Sequence, residues 1–309
     1  AWSGKTGAKL IFMGDPEQLP AVSRGNVLRK LTQMEVVAQT PNALLYLGKN
    51  LSDWNRISRQ KDDWAKQASM FFSQGLVAEG LREYDQRGCV HGAWTQEHLR
   101  EDLIRAYLAD PAAAKNKLIL ATTNAQVHAM NQAVRADLKA HGKLTGNWKL
   151  PDSTFELSLG DRIVFKQGVQ GKQKRAASGV KGSASPAIAK NEFATVRSIA
   201  RQPDGSLDVQ CELDTQGSDG KPSFVKLNTK DMGELDHAFA STVHRSQGMT
   251  VDAVYAVAST FLSKELFYVM ATRHRERFHV HMLEQDRSLV MQRAAAAIPK
   301  WHALDLHSM

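Results

Sequence analysis

The sequence predicts an α/β protein with a parallel sheet, interrupted by a smaller all-β segment. Short apolar runs such as Lys117–Ala121 alternate with segments in which apolar residues recur at helical spacing. That alternation is typical of a parallel sheet covered by helices. From Phe155 to about Leu235 the pattern changes to short runs of strand-forming residues, separated by turn signals such as Pro203-Asp204-Gly205. The α/β pattern then resumes, so the all-β segment is predicted to be an insert.

Each predicted element follows from its local pattern. Gly75 is expected to separate two helices within Asp53–Arg87. Asn124–Ala140 is predicted to be an amphipathic helix, with Val127, Met130, Val134 and Leu138 on one face. The other predicted helices are Ser23–Gln33, Thr95–Ala109, Ser241–Gln247, Lys264–Thr272 and an Ala-rich helix after Gln285, and the predicted strands are Ala8–Met13, Lys117–Ala121, Asp161–Phe165, Phe193–Ile199, Leu207–Leu213, Ser223–Leu227, Ala253–Val257 and Phe278–Met282.

Composition limits the class of protein. The 309 residues suggest two or three structural units, and 42% of them are hydrophobic. Lys and Arg number 40 against 32 Asp and Glu, a net charge of +8 that suits a polyanionic partner such as nucleic acid. The two cysteines, Cys89 and Cys211, lie far apart, which argues against a zinc site or a disulfide framework. No apolar run reaches the roughly 18 residues of a membrane span, so we expect a cytoplasmic protein without a membrane partner.

A Gly-Asp-containing segment carries the strongest functional signal. The apolar run Ala8–Met13 leads directly into Gly14-Asp-Pro-Glu-Gln-Leu-Pro-Ala-Val22. Open α/β sheets bind ligands at the carboxyl ends of their strands, where Asp15 and Gln18 are expected to lie. The amide of Gln18 can both donate and accept a hydrogen bond, so it could sense a γ-phosphate or a bound water.

Ser3-Gly4-Lys5-Thr6 is similar to part of a phosphate-binding P-loop, but its context argues against that function. The first glycine of a P-loop would fall before residue 1. A P-loop is also followed by a helix whose amino end faces the phosphate, whereas here Gly7 and a predicted strand follow. We interpret this Gly-Lys-Thr as a chance occurrence.

Three further segments carry groups suited to phosphate. Arg59 and Gln60 precede a predicted helix and offer a charge-assisted donor and an amide. The segment from His237 to Thr250 concentrates hydroxyls, imidazoles, an amide and a glycine in one stretch. Arg273 follows an apolar helix; it could be an arginine finger that neutralises a transferred phosphoryl group. Alternatively, it could be a favourable charge at the carboxyl end of the helix.

A basic stretch interrupts the predicted all-β insert. Between Asp161 and Glu192 there is no acidic residue but there are seven basic ones. Two interpretations stay open: a solvated loop, and an arm at a strand end that contacts phosphate. The basic residues are Arg162, Lys166, Lys172, Lys174, Arg175, Lys181 and Lys190.

In combination, these segments resemble the RecD-like branch of superfamily-one helicases, and in particular the helicase part of conjugative relaxases of the TraA and TrwC type. The resemblance covers nearly the whole chain, and the motifs occur in the family's order. Arg245 stands in motif V where Lys is commoner, and Glu192 follows Asn191 where the family usually has Gly. The matching segments are Gly14–Val22 (motif III), Arg59-Gln60 (motif IV), Leu120–Asn124 with Asn131 and Arg135, Leu159–Phe165 with Asn191 (an SH3-like insert), Ala240–Thr250 (motif V) and Tyr268–Arg273 (motif VI).

The resemblance implies a role for each site residue. Gln18, Arg59 and Arg273 would act in catalysis of ATP hydrolysis. Backbone contacts carry no base information, so binding to single-stranded DNA should be sequence-tolerant. The resemblance also implies 5′-to-3′ movement. The implied nucleotide-binding residues are Gly14, Asp15, Gln18, Gln60, Gln247 and Gly248, and the implied DNA-binding residues are Thr122, Ser241, Thr242, His244, Lys172, Lys174 and Arg175.

The chain carries neither the family's P-loop nor its magnesium-binding acids, which in the family precede motif III. We therefore expect the C-terminal part of a helicase, inactive alone, whose parent uses ATP and Mg²⁺ and carries further helicase and relaxase domains. Two alternatives are a vestigial domain that binds single-stranded DNA without hydrolysing ATP, and a free-standing repair helicase. Phosphate-sensing residues favour the enzyme over the vestigial binder.

The resemblance also implies a domain division. The expected units are the end of a first RecA-like domain (1–48), a second RecA-like domain (49–154 and 236–309) and an SH3-like insert (155–235).

Overall fold

The computed structural model describes residues 58–150, 153–169, 173–175, 181–184, 188–216 and 220–296, with the backbone alone for 173–175 and 181–184. Several predictions fall outside these residues. They are the strand Ala8–Met13, the helix Ser23–Gln33, the Ser3–Thr6 segment and the site residues Gly14, Asp15, Gln18 and Lys172.

Helices and strands are numbered here in chain order. The helices are α1 Asp63–Gln74, α2 Val77–Asp85, α3 Gln96–Ala109, α4 Asn124–Ala140, α5 Lys264–Ala271 and α6 Arg287–Ala295. The strands are β1 Val90–Ala93, β2 Lys117–Ala121, β3 Thr145–Lys149, β4 Glu156–Leu159, β5 Arg162–Phe165, β6 Gln173–Arg175, β7 Lys181–Ala184, β8 Phe193–Arg201, β9 Leu207–Leu213, β10 Ser223–Asn228, β11 Leu235–His237, β12 Ala240–Thr242, β13 Val251–Val257 and β14 His274–Leu283.

A five-stranded sheet forms the centre of the α/β unit. Its strand order is β1-β14-β13-β2-β12, and every neighbouring pair is parallel. All five residues of β2 are buried, as expected for a strand covered on both faces. Leu118 and Leu120 belong to the apolar cluster with α1, α2, α5 and α6, whereas Ile119 and Ala121 belong to the cluster with α3 and α4. This confirms the predicted α/β fold class.

Local signals explain where the helices begin and end. Gly75 ends α1 in a left-handed conformation at φ 81°, as the predicted break near this glycine requires. Thr123 begins α4 with a reciprocal capping box, in which its hydroxyl accepts from the Gln126 N–H and the Gln126 side chain accepts from the Thr123 N–H. Val127, Met130 and Val134 of the predicted face are buried, and Leu138 is half-buried.

The all-β segment forms its own antiparallel sheet, in the order β10-β9-β8-β5-β11. Its core contains alternate residues of the strands, among them Val209 and Cys211, which are both fully buried. Asn191 has φ 65° at the turn into β8, a left-handed conformation that Asn tolerates better than most residues. The sheet extends to His237 through β11. An all-β insert is confirmed, and its SH3-like character stays a prediction from the resemblance.

Within the basic stretch, β6 and β7 pair as an antiparallel ribbon, with Arg175 opposite Lys181. The base of this ribbon is an isolated bridge between Val169 and Ile188, which are both buried. The backbone geometry is therefore that of a hairpin arm rather than of an unpaired loop. We refer to residues 169–188 as the arm.

One predicted helix is wrong. The pattern of Ser241–Gln247 predicts a helix, but Ser241 and Thr242 lie in β12, opposite Leu120 and Ala121 of β2. Residues 243–248 then form a turn, in which the Ser246 N–H donates to the carbonyl of Thr242 at 3.1 Å. The pairing of β12 with β2 satisfies the backbone of the first residues as a strand, and one turn remains before β13 begins.

Candidate functional site

The functional candidates of the α/β unit fall at two opposite edges of its parallel sheet. At the amino edge, where β13 and β14 begin, Arg59 bridges the two strands. Its Nε donates to the Thr250 hydroxyl at 2.8 Å, and its Nη1 donates to the Thr272 carbonyl at 2.7 Å. Arg59 is partly buried. The predicted motif IV arginine therefore joins the segments that were identified as motifs V and VI.

Gln60 is buried beside Arg59. Its Nε2 donates to the His274 carbonyl at 2.9 Å, with a longer contact of 3.5 Å to the Thr272 carbonyl. Among the described residues, no donor reaches its buried Oε1. The side chain is fixed by β14, and its own carbonyl oxygen is the polar atom left for another group.

Arg273 lies immediately after α5 and is only 1% exposed. Its Nε donates to the Val269 carbonyl at 3.0 Å, and its Nη2 donates to the Thr272 hydroxyl at 3.3 Å. A cation bound to the last carbonyls of a helix is favoured by the helix dipole. In this conformation Arg273 has the contacts expected for a charge at the end of a helix, so its role as an arginine finger stays a prediction.

The turn at residues 243–248 carries the remaining nucleotide-side candidates. Gln247 and Gly248 are exposed, and so is His244. Gly248 has φ 88°, and a Cβ atom there would meet nothing within 4 Å. The backbone at Gly248 is therefore open to a ligand, in a conformation that favours glycine.

A cleft of about 960 Å³ separates this turn from the all-β unit. On one side lie His244, Gln247 and Gly248, and on the other lie Asn191 and Asp214. The structure thus brings His244, predicted to bind DNA, to the nucleotide-side residues Gln247 and Gly248. Sequence reasoning missed the contribution of the all-β unit to this cleft, because the segments are distant along the chain.

At the opposite, carboxyl edge, hydroxyl groups follow the ends of neighbouring strands. The Thr122 and Ser259 hydroxyls, after β2 and β13, are 2.8 Å apart. Thr242 ends β12, where its hydroxyl accepts from the Arg245 N–H at 3.3 Å. Ser241 is only 1% exposed, so Thr242 is the more accessible of this predicted pair. Sequence reasoning missed Ser259, although its position just after an apolar strand was a signal of the same kind.

Asn131 and Arg135 join α4 to β12 and to the all-β unit. The Asn131 amide donates to the His237 carbonyl at 2.8 Å and accepts from the Ala240 N–H at 2.8 Å. Arg135 donates to both carboxylate oxygens of the buried Asp161, at 2.8 and 2.9 Å. Both side chains of α4 thus fix β12 and the start of the all-β unit.

Two histidines near the site are held neutral. Burial lowers the pKa of His237 to about 4, and the nearby Arg135 guanidinium acts in the same direction. Burial also lowers the pKa of His274 to about 3, and its Nε2 lies 3.0 Å from the Tyr84 hydroxyl. Neither imidazole is therefore a cationic phosphate ligand near neutral pH.

Lys174 and Arg175, two further DNA-binding predictions, lie in β6 of the arm, where their backbone alone is described. Across the described part of the chain, no group of three or more His, Cys, Asp or Glu side chains could hold a metal ion. Guanidinium, amide and open backbone groups at the amino edge are suited to phosphate oxygens. The described residues fit a nucleotide phosphate, and they do not supply a magnesium site.

No helix within the described ranges is long and apolar enough to cross a membrane.

Comparisons with known protein families agree with this arrangement. A family model described as an AAA domain matches residues 3–95, and one described as a UvrD-like helicase C-terminal domain matches residues 237–280. The second match contains β12, the turn, β13 and α5, and thus most of the candidate site. Most of the first match lies outside the described residues.

Curated relatives align over 90% of the chain. A probable conjugal transfer protein TraA of Sinorhizobium fredii is 29% identical, and a conjugal transfer protein TraA of Agrobacterium fabrum is 27% identical. The chain spans 22% of the length of these relatives.

Solved structures of Pif1 also align with the chain. Pif1 of Bacteroides bound to ssDNA covers 82% of the chain, which in turn covers 55% of that protein, with a TM-score of 0.45 and 15% identity. Pif1 helicase of Candida albicans also covers 82% of the chain, which covers 59% of it, with a TM-score of 0.42 and 16% identity. A likeness of this degree does not establish a shared activity. By the two family matches and the aligned relatives, the chain is similar to helicase domains and to a part of TraA-type conjugal transfer proteins.

Proposed function

We propose that the chain is part of an ATP-dependent DNA helicase or translocase that acts in conjugal DNA transfer and moves 5′ to 3′ on single-stranded DNA. One observation carries this proposal. The nucleotide-side candidates Arg59, Gln247 and Gly248 lie towards the amino edge of one parallel sheet, and the hydroxyls of Thr122 and Thr242 lie at its carboxyl edge. A motor needs such a pair of separate sites, whereas a simple DNA-binding module needs one.

The turn connects these two sites directly. By register, Thr242 is level with Ala121 of β2, whereas Ala253 is level with Lys117. The chain between Thr242 and Val251 therefore runs back along the sheet by about six residues of strand, roughly 20 Å. Any movement of Gln247 or Gly248 towards a phosphate pulls on the segment that ends at Thr242. This connection is a physical route by which binding of a nucleotide beside Gln247 and Gly248 affects the contact between Thr242 and DNA.

The nucleotide site is completed outside the described residues. Gly14, Asp15, Gln18 and Gln60 would contact the nucleotide with Gln247 and Gly248, and Gln18, Arg59 and Arg273 would stabilise the transferred phosphoryl group. Mg²⁺ would neutralise charge on the phosphates when bound. In this proposal its ligands, like the P-loop, belong to other domains of the same polypeptide, which carry the rest of the helicase and a relaxase.

The domain division of the sequence analysis remains part of the proposal. The parallel sheet with α1 to α6 corresponds to the second motor domain, and the antiparallel sheet corresponds to the SH3-like insert. A cytoplasmic location is proposed as well.

Arg59 gives the sharpest test, in the whole protein. We expect Arg59→Ala to lower DNA-stimulated ATP hydrolysis by about a thousandfold, the scale of a lost arginine finger, while nucleotide binding stays within a few-fold. Arg59→Lys should also be strongly impaired, because a single ammonium nitrogen does not reproduce the planar geometry in which two guanidinium nitrogens make these contacts. Turnover and the affinity for a fluorescent ATP analogue are measured side by side.

Arg105→Ala is the matched control, since Arg105 is exposed and pairs with Asp102 on the surface of α3. Its turnover should equal that of the unsubstituted protein. Near-normal turnover of Arg59→Ala would show that Arg59 has only a structural role. Absence of DNA-stimulated hydrolysis in the unsubstituted protein, together with intact binding to single strands, would favour the vestigial binding domain.

A further inference from the structure

Two large aromatic side chains stand unburied at the carboxyl edge of the parallel sheet. Trp94 is 73% exposed and directly follows β1. Phe261 is 69% exposed and lies in the loop after β13. Only β14 separates these strands in the sheet, so their ends are about 10 Å apart at the usual strand spacing. Both aromatics therefore lie on the edge that carries Thr122 and Ser259.

Both aromatics are held on short, fixed connections. Trp94 is preceded by Ala93, which is buried, and followed by Thr95. The Thr95 hydroxyl caps α3 by accepting from the His98 N–H at 3.2 Å. Phe261 lies in a turn closed by a 3.1 Å bond from the Leu262 N–H to the Ser259 carbonyl. Leu262 is only 3% exposed, which fixes the far side of this turn. These connections fix the backbone on which the exposed side chains of Trp94 and Phe261 are carried.

The electrostatics along this edge are not uniform. Gly92, at the end of β1, leaves the space that the Glu284 carboxylate fills; a Cβ atom would lie 1.6 Å from Glu284 Oε1. Arg287 pairs with Glu284 at 3.4 Å. A carboxylate between two aromatics disfavours phosphate, whereas hydroxyls such as those of Thr122 and Ser259 suit phosphate oxygens. The aromatic half of the edge therefore suits bases, and the hydroxyl half suits the DNA backbone.

We infer that Trp94 and Phe261 are stacking platforms for two bases of a single DNA strand that crosses the carboxyl edge of the sheet. Every base has a flat apolar face, so stacking strengthens binding without reading sequence. This inference rests on the proposed function, because it identifies part of the surface that the proposed DNA strand occupies. It adds base contacts to a track for which only backbone contacts were expected.

The test uses the 309-residue chain and two fluorescent oligonucleotides of equal length, one of thymidines and one abasic. We expect the unsubstituted chain to bind the thymidine strand more tightly. Trp94→Ala and Phe261→Ala should each weaken that binding by about fivefold or more, the lower end for removal of a base stack. Neither change should alter binding to the abasic strand, because the backbone contacts remain.

Two further variants separate stacking from folding. Trp94→Tyr keeps an aromatic face and should restore most of the affinity. Phe224→Ala removes a half-exposed aromatic from β10 of the antiparallel sheet and should bind both strands like the unsubstituted chain. Thermal unfolding of each variant shows whether the fold is intact.

The outcomes distinguish this inference from the proposed function. If the chain binds the thymidine strand and the alanine variants bind it equally well, the stacking inference is overturned and the DNA-binding proposal stands. Equal affinity of the unsubstituted chain for thymidine and abasic strands would have the same meaning. If the chain binds neither strand at low salt, the proposal of a DNA track on this chain fails as well.

Discussion

At the scale of single residues, the α/β unit contains a group of buried and half-buried histidines. His281 and His91 stack with their ring centroids 4.4 Å apart, and His91 Nε2 lies 3.1 Å from His279 Nδ1. Burial lowers the pKa of His281 to about 3 and that of His279 to about 4. On the other face of the sheet, His274 packs against Phe278 and has its pKa lowered to about 3. These imidazoles are neutral in the folded chain at neutral pH.

Neutral buried histidines make stability depend on pH. A histidine titrates near pH 6.5 in an unfolded chain, so below that pH the unfolded state takes up protons that folded His274 and His281 do not. Their contribution is fully present above about pH 6.5 and falls as the pH decreases towards 3. Each of these two histidines, which are 2% exposed or less, adds a slope of up to about 1.4 kcal/mol per pH unit.

We expect His281→Phe to flatten this dependence. The phenyl ring keeps the stack on His91 and removes the titration, so the slope below about pH 6.5 should decrease by up to about 1.4 kcal/mol per pH unit. Urea unfolding at about pH 7, 6 and 5 measures the slope. His128 is exposed on α4, and His128→Gln should leave the slope unchanged. A slope that is equally steep in His281→Phe and the unsubstituted chain would contradict this account.

The sequence identified many of the residues that the structure brings to the site, but it could not predict their contacts. Arg59 and Gln60 are recognisable from a two-residue motif, and their carbonyl partners lie more than 200 positions away in the chain. The sequence also could not predict the solvent exposure of Trp94 and Phe261. Both belong to residue types that are usually buried. Their positions near each other at one edge of the sheet follow from strand order, which local pattern does not encode.

At the scale of elements, most helices and strands could be predicted because their patterns agree with their environment. Lys117–Ala121 is apolar throughout and is a buried central strand, and Asn124–Ala140 has helical spacing and a capping box. The helix prediction for Ser241–Gln247 was wrong because three residues with weak strand character pair with β2, and this pairing overrides local preference. β1 and β11 were missed for a similar reason, since three or four residues give too little periodicity to detect.

The backbone of the arm does not reveal its function, so the function has to be tested by experiment. It interrupts the all-β insert, and none of its described residues lines the cleft beside Gln247 and Gly248, so it can reach DNA without contributing to hydrolysis. We expect replacement of Lys172, Lys174 and Arg175 by Ala in the whole protein to reduce duplex unwinding while ATP hydrolysis at saturating DNA stays close to normal. Because each bound phosphate releases counterions, the same replacement should also make DNA binding less sensitive to salt.

Unwinding and hydrolysis are measured on the same preparations. The control is replacement of Lys226 and Lys230, which pair with Asp208 and Asp204 on the antiparallel sheet. Equal loss of both activities in the arm variant would indicate a folding defect or a shared DNA track. If neither activity changes, the arm is a solvated hairpin.

At the scale of the whole molecule, the two sheets share packing and buried polar contacts. Val164 and Phe193 of the all-β unit belong to the same apolar cluster as α1, α2 and α5. The Arg135–Asp161 pair crosses between the units with 12% and 0% of the side chains exposed. Asp161 also accepts from the Ser158 N–H at 2.7 Å. Because core and ion pair both cross the boundary, the described units should unfold together.

Arg135→Ala tests whether the Arg135–Asp161 pair holds the two units together. Removal of one partner of a buried ion pair leaves an uncompensated carboxylate, and we expect a loss of about 3 kcal/mol in the free energy of unfolding. Arg105→Ala, which breaks an exposed pair, should cost less than about 1 kcal/mol. Chemical denaturation followed by circular dichroism gives both values. A loss in Arg135→Ala no greater than in Arg105→Ala would show that the two units are not held by this pair.

The junction between β11 and β12 has a mechanical consequence. Two residues, Ala238 and Phe239, join a strand of the antiparallel sheet to a strand of the parallel one, and they are 2% and 1% exposed. A linker of two residues that are both buried cannot extend or change its conformation freely. Load applied to the all-β insert by a bound DNA strand would pass through these two residues, together with the shared apolar cluster and the Arg135–Asp161 pair, into β12 and onward to the turn beside the cleft. The all-β insert would therefore move together with the parallel sheet, and not independently of it as a domain on a flexible linker would.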